Sequence, residues 1–130
     1  MSDDFTAELL TLSRRLLESI AEGDWTTYAE LCDPTLSAFE PEARGQLVEG
    51  MDFHRYYFEL QGPSTPRQTT ITAPQVRLLG PHAAVVTYVR LDQWIDREGT
   101  PATAVFEETR VWHRRDGRWY HVHFHRSSNR

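Results

Sequence analysis

The sequence predicts an α+β fold, with helices first and a long antiparallel meander in the second half of the chain. Two observations predict it. Apolar residues recur at steps of three and four in the N-terminal part, then switch to alternation at every second residue. Turn signals at Gly80-Pro81, Asp96 to Gly99 and Asp116-Gly117 divide the alternating part into successive strands. The 130 residues suit one domain, spanning 1–130 with its core at 4–127.

The first helix follows from Phe5, Leu9, Leu12, Leu16 and Ile20, an apolar stripe at helical spacing. Asp3 or Asp4 is the expected cap and Gly23 the expected end. Asp24 caps a short second helix that turns Trp25, Tyr28 and Leu31 inward. Asp33-Pro34 stops it, because the residue before proline avoids helical geometry. Thr35 to Phe39 and Gln46 to Val48 read as short strands around a turn at 40–45. A third helix starts at Asp52, read as its N-cap, and carries Phe53, His54, Tyr57 and Phe58. Gly62, Pro63 and Pro66 make a loop after it. Strands are then expected over 69–73, 75–79, 83–95, 103–114 and 118–126.

Composition narrows the function classes. The net charge of −5 argues against nucleic acid, which wants a concentrated basic face. The N-terminal MSDDF lacks a signal-peptide pattern, and no apolar run reaches membrane-spanning length. A single cysteine, Cys32, excludes an internal disulfide framework, and together these point to a cytoplasmic setting. Beside an Asp-Pro step, Cys32 reads as a small core residue rather than a nucleophile.

The last hairpin admits two registers. A two-residue Asp116-Gly117 turn pairs Arg115 with Arg118 and sets Trp112 opposite His121. A three-residue loop with Gly117 at a bulge pairs Arg114 with Arg118, setting Trp112 opposite Tyr120 and Arg110 opposite Val122. The second gathers Phe106, Glu108, Arg110, Trp112, Tyr120, Val122, Phe124 and Arg126 on one face and is preferred on hydrophobic pattern. The neighbouring strand offers Val86, Tyr88, Arg90 and Trp94 on one parity. Arg90, Arg110 and Arg126 therefore alternate in step with aromatic residues. Burying a guanidinium unpaired is costly, so each needs a carboxylate, ordered water or a bound anion. One reading pairs them with Glu108 and Asp92 as a structural network. The sharper one is a pocket for a small carboxylate, whose two oxygens match the guanidinium fork. The first is favoured if protein acids neutralise all three.

Several stretches resemble the association (hub) domain of calcium/calmodulin-dependent protein kinase type II, closely and in order. They are EGDWTTYAELC (22–32), CDP (32–34), FEPEARGQLVEGMDFHRYYFE (39–59), TTI (69–71), EETRVWHRRDGRW (107–119) and VHFHRS (122–127). The resemblance implies a cone-shaped fold like nuclear transport factor 2, and homodimers able to build stacked rings. It also implies a deep pocket for small carboxylates of the γ-hydroxybutyrate kind. By matching motifs, His54, Arg90, Arg110 and Arg126 carry that pocket's roles. Glu108 and Tyr88 join them as candidates on strand parity. The segment LQGPSTPRQ (60–68) departs from the family's longer, tryptophan-containing loop. No Gly-rich loop, catalytic-loop aspartate or DFG metal motif is present, so kinase catalysis is not expected of this chain. The expected partners are the chain itself and a small carboxylate. No cofactor, metal, membrane or nucleic acid is expected, and the sequence assigns no kinase or calmodulin partner.

Two rival constellations stand beside this. His121, His123 and His125 alternate, as for a metal-presenting strand with Glu107 opposite His125, though an outer sheet face or subunit interface explains them more simply. Cone folds also host isomerases and dehydratases, so His54, Asp52, Glu108 or Tyr28 could serve as acid or base, with Tyr88 and Tyr120 pointing inward. No acid and base stand at a diagnostic spacing, and core aromatics and caps account for these residues more economically.

Overall fold

The computed structural model describes residues 5–60 and 67–128. The expected caps Asp3 and Asp4 and the loop residues Gly62, Pro63 and Pro66 lie outside them. Helix α1 covers Thr6–Glu22 and buries Leu9, Ser13, Leu16, Leu17 and Ser19. It ends at Gly23, whose φ of 68° is left-handed, while the Asp24 amide donates back to the Ser19 carbonyl at 2.8 Å. The Asp24 carboxylate accepts from the Thr27 amide at 3.1 Å and caps α2, Trp25–Leu31.

Strand β1 runs Cys32–Phe39, longer than the sequence reading, because the chain turns extended at once through Cys32, Asp33 and Pro34. Proline is tolerated there because β2, Val48–Glu49, pairs only with Ser37 and Ala38 and demands no ladder hydrogen bond from Pro34. A 3-10 turn, Pro41–Ala43, joins the two. Helix α3 spans Asp52–Leu60, with Asp52 as its first helical residue rather than its cap.

The two strands expected over 69–79 are one strand, β3, Gln68–Leu78. Pairing shifts from Thr72↔Val89 to Gln75↔Thr87, so Ala73 and Pro74 together oppose Tyr88, a bulge with Ala73 at φ 52°. Strands β4, Ala83–Ile95, β5, Pro101–Arg115, and β6, Arg118–Ser128, complete one six-stranded curved sheet in the order β2-β1-β6-β5-β4-β3. It is antiparallel except for the parallel β1–β6 pair. The helices supply Leu9, Leu16, Tyr28 and Leu31 to a core completed by Leu36, Ala84, Val86, Trp112, Trp119 and Phe124.

The preferred hairpin register is overturned. Arg115 pairs with Arg118 and Trp112 with His121, across a two-residue turn whose Asp116 and Gly117 have φ of 53° and 76°. Positive φ at both positions gives the twist that matches the flanking strands. The register then slips between Val111 and Trp112, which pair with His123 and His121, so Val122 is the extra, bulged residue. The bulge reconciles Trp119 and Phe124. They are five residues apart and would face opposite ways on a regular strand, yet both are buried. Trp119 and His121 therefore take the inward places expected for Tyr120 and Val122, while Phe124 and Arg126 stay beside Arg110 and Glu108. The three alternating histidines do not share a face, since His121 is fully buried and His125 exposed. Glu107 stands opposite Ser127, not His125.

Candidate functional site

Strands β4 and β5 pair Val86 with Arg110, Tyr88 with Glu108 and Arg90 with Phe106, so one inward row carries two arginines and one acid. Glu108 lies between the two. Its Oε2 is 2.9 Å from Arg90 Nη1, and its Oε1 accepts from Arg110 Nη2 at 3.1 Å and from the Tyr88 hydroxyl at 2.6 Å. Arg110 also donates through Nε to the Tyr88 oxygen at 2.7 Å, and its Nη1 stands 3.2 Å from His121 Nε2. A guanidinium only donates, so that nitrogen accepts, and the His121 proton sits on Nδ1, 3.5 Å from Cys32 Sγ. Burial, then the charge of Arg110, holds His121 well below the ordinary imidazole range and keeps it neutral. Burial opposes ionisation of Glu108, but Arg110 and Arg90 outweigh it and hold the carboxyl below its usual range. The Cys32 thiol is pushed up to about 12 by burial and is an inert core group.

Arg90 is completed by Asp92 at 3.3 Å and lies over the Phe106 ring at 4.7 Å. Arg126, on β6, covers the same ring at 5.1 Å and meets Glu42, with Glu40 at 3.8 Å. Each of the three guanidiniums thus has a carboxylate partner, the outcome that favours the structural network, and the inference of a missing anion drawn from their shared parity loses its force.

A cavity of about 120 Å³ opens beside this network. Arg110, Arg126, His54, Glu40 and Glu42 give it polar walls, while Tyr28, Phe58 and Phe124 line the apolar side. The structure therefore brings His54, Arg110 and Arg126 to one cavity. Arg90, Glu108 and Tyr88 stand behind Arg110 and do not line it. His54 is turned in by α3, with Nδ1 3.5 Å from Glu40 Oε2. Burial, then Arg110 and Arg126, lowers its pKa to about 4, so it is neutral at pH 7. Glu40 moves oppositely. Burial raises it to about 7, Arg126 opposing and Glu42 assisting. Three buried polar atoms here lack hydrogen-bond partners: His54 Nε2, Glu40 Oε2 and Arg126 Nε.

Sequence reasoning missed Glu40 and Glu42 by reading 40–45 only as a turn between two short strands. The available signal was Glu-Pro-Glu, since proline at the start of a 3-10 turn fixes two acids on one short bend. Among the rival candidates, Tyr28 is buried in the cavity wall, whereas Asp52 does not line it. Tyr120 is only half-buried, on the side of β6 opposite Trp119 and His121.

Residues 6–130 match the family model for the calcium/calmodulin dependent protein kinase II association domain. The chain is 53% identical over 124 residues to the kinase's type II subunit delta from Oryctolagus cuniculus, a match covering 94% of this chain and 23% of that protein. The chain thus spans about a quarter of that relative's length. It superposes on the hub homology domain of Chlamydomonas reinhardtii with a TM-score of 0.92 and 46% identity, covering 98% of this chain and all of that one. A nuclear transport factor 2-like protein from Salmonella enterica, 22% identical with a TM-score of 0.77 over 96% of this chain and 91% of that one, shares the fold.

Proposed function

This chain belongs to the calcium/calmodulin-dependent protein kinase II association-domain family, and we propose that it is a self-associating hub-like module whose cavity holds a small carboxylate. The observation that carries the first half is the match to an association domain along residues 6–130. The outer sheet face supports it. Val85, Thr87, Val89, Thr109 and Val111 stand side by side there, half-buried, on the side of the sheet away from the three helices. Such a β-branched face suits burial against a second copy. Light scattering coupled to size-exclusion chromatography tests it. A dimer or larger particle is expected, and a mass that stays monomeric as concentration rises overturns the reading.

For the carboxylate, the support is the unpartnered Arg126 Nε and His54 Nε2 at a cavity with aromatic walls. In this reading Arg126 and Arg110 hold the anion and neutral His54 contributes a hydrogen bond. Glu108, Tyr88 and Arg90 fix the Arg110 plane from behind. Calorimetric titration of butyrate into wild type and Arg126→Ala decides it. Saturable binding that the substitution weakens at least about tenfold is expected for the loss of a charge-assisted pair. Binding unchanged by it moves the site elsewhere. A cytoplasmic setting belongs to the same proposal, supported by a single, buried, unpaired cysteine. Among the described residues no helix is long and apolar enough to cross a membrane.

A second reading, a small-molecule enzyme of the isomerase or dehydratase type, draws on the Glu40–His54 approach beside two arginines. Turnover abolished by both His54→Ala and Arg110→Ala, with folding intact, would promote it over the binding module.

A further inference from the structure

We infer that the cavity takes up a proton together with its anion, and that Glu40 is the residue that holds it. This rests on reading the cavity as a carboxylate site. Glu40 lies at the start of the Pro41–Ala43 turn with its side chain only 9% exposed. The groups around it come from every neighbouring element: Glu42 from its own turn, His54 from α3 and Tyr28 from α2. Arg110 comes from β5, and Arg126 and His125 from β6.

Charge explains why a proton must enter. Arg90, Arg110 and Arg126 supply three positive charges, while Asp92, Glu108 and Glu42 supply three negative ones. An ionised Glu40 makes the cluster net negative before any ligand arrives, and a bound carboxylate would make it doubly so in a largely buried space. A protonated Glu40 removes the first of these charges. It also supplies an O–H donor to the incoming carboxylate and releases its share of Arg126. The group is poised for this, since burial raises it to about 7. His54, lowered to about 4, carries no proton to exchange in the same range.

The linkage has a definite sign. Binding that requires the protonated form weakens as pH rises through the free-state pKa, so Kd should rise about tenfold between pH 6 and pH 8. The test is calorimetric titration of butyrate into wild type and Glu40→Gln at pH 6, 7 and 8, with the pH 7 series repeated in buffers of different ionisation enthalpy. Wild type should show the tenfold change and an uptake of about half a proton at pH 7. Glu40→Gln, which keeps an N–H donor without a titrating group, should bind with a Kd constant to within about twofold.

Binding by wild type that is independent of pH and buffer overturns the proton link and leaves the carboxylate site standing. An equal pH dependence in Glu40→Gln assigns the proton to another group and also overturns it. No saturable binding at any of the three pH values overturns the carboxylate reading and this inference with it. If Glu40→Gln fails to fold, the buffer series on wild type still decides whether a proton is taken up.

Discussion

Arg110 is the residue on which the interior turns. Its three nitrogens reach Tyr88, His121 and Glu108, it is fully buried, and its guanidinium lies over Phe124 at 4.6 Å. Arg110→Ala leaves Glu108 with one of its two paired cations, Arg90, and strips the Tyr88 hydroxyl and His121 Nε2 of a partner. A loss of about 3–5 kcal/mol in urea-unfolding free energy is expected, the cost of breaking a buried pair from one side. His54 gives a pH signature. Its folded pKa of about 4 lies below the unfolded 6.5. The unfolded chain therefore binds more protons between those values, and the contribution present above pH 6.5 is lost as pH falls through 4. Glu40 runs the other way. Its folded pKa of about 7 exceeds 4.5, so its contribution is full below 4.5 and lost as pH rises through 7. The two oppose each other between 4.5 and 6.5, and the difference between proteins isolates one of them. The stability of wild type relative to His54→Gln should fall by roughly 3 kcal/mol from pH 7 to pH 4 in urea titrations. A difference that does not change with pH would show that His54 is not neutralised by its surroundings.

At the scale of elements, the backbone departs from regularity where strands must bend. Ala73 holds φ at 52° in the β3 bulge, a conformation that costs a residue with a Cβ about 1 kcal/mol. Ala73→Gly should therefore raise the urea-unfolding free energy by up to about 1 kcal/mol. Gly117 holds φ at 76° in the β5–β6 turn, so Gly117→Ala should lower stability by about 1 kcal/mol or more. Opposite signs from mirror-image substitutions separate backbone strain from packing, because a Cβ at Gly117 meets only the end of the Arg114 side chain, at 4.0 Å. The β6 bulge has a larger consequence than either. By absorbing Val122 it brings Trp119, His121 and Phe124 to the same side, and with them the imidazole that completes Arg110.

For the whole molecule, the curved sheet separates two surfaces. The inner one holds the helices, the charged network and the cavity, while the outer one carries the β-branched row, His123 and His125. A charge placed on the outer row should disturb assembly without reaching the core. Val111→Glu is expected to lower the light-scattering mass toward the monomer while the circular dichroism spectrum is unchanged. An unaltered mass would place self-association on another surface. The same separation explains why the alternating histidines were hard to read. His121 belongs to the inner network and His123, whose Nδ1 is 2.7 Å from Ser37 Oγ, to the outer face, although they sit two apart in the chain.

The sequence by itself determined what depends on neighbours a few residues apart. The three helices, the Asp24 and Gly23 boundaries and the alternation that aligns Val86, Tyr88 and Arg90 were all legible in this way, as was the inward row Phe106, Glu108, Arg110 and Trp112. The motifs at 39–59 and 107–127 were legible too, since their order and spacing survive without any knowledge of contacts. Tertiary structure alone decided which strand lies beside which and where a residue is skipped. In β6 both parities carry apolar groups, Trp119 on one and Phe124 on the other, so local pattern could not place the Val122 bulge. The parallel pairing of β1 with β6 brings Glu40 and Glu42 to Arg126 across more than eighty residues, a meeting that periodicity does not encode. Charge on an alternating strand requires a partner, but only the fold names it. For Arg90 and Arg110 the partner is Glu108, and for Arg126 it is a pair of acids beside an open cavity.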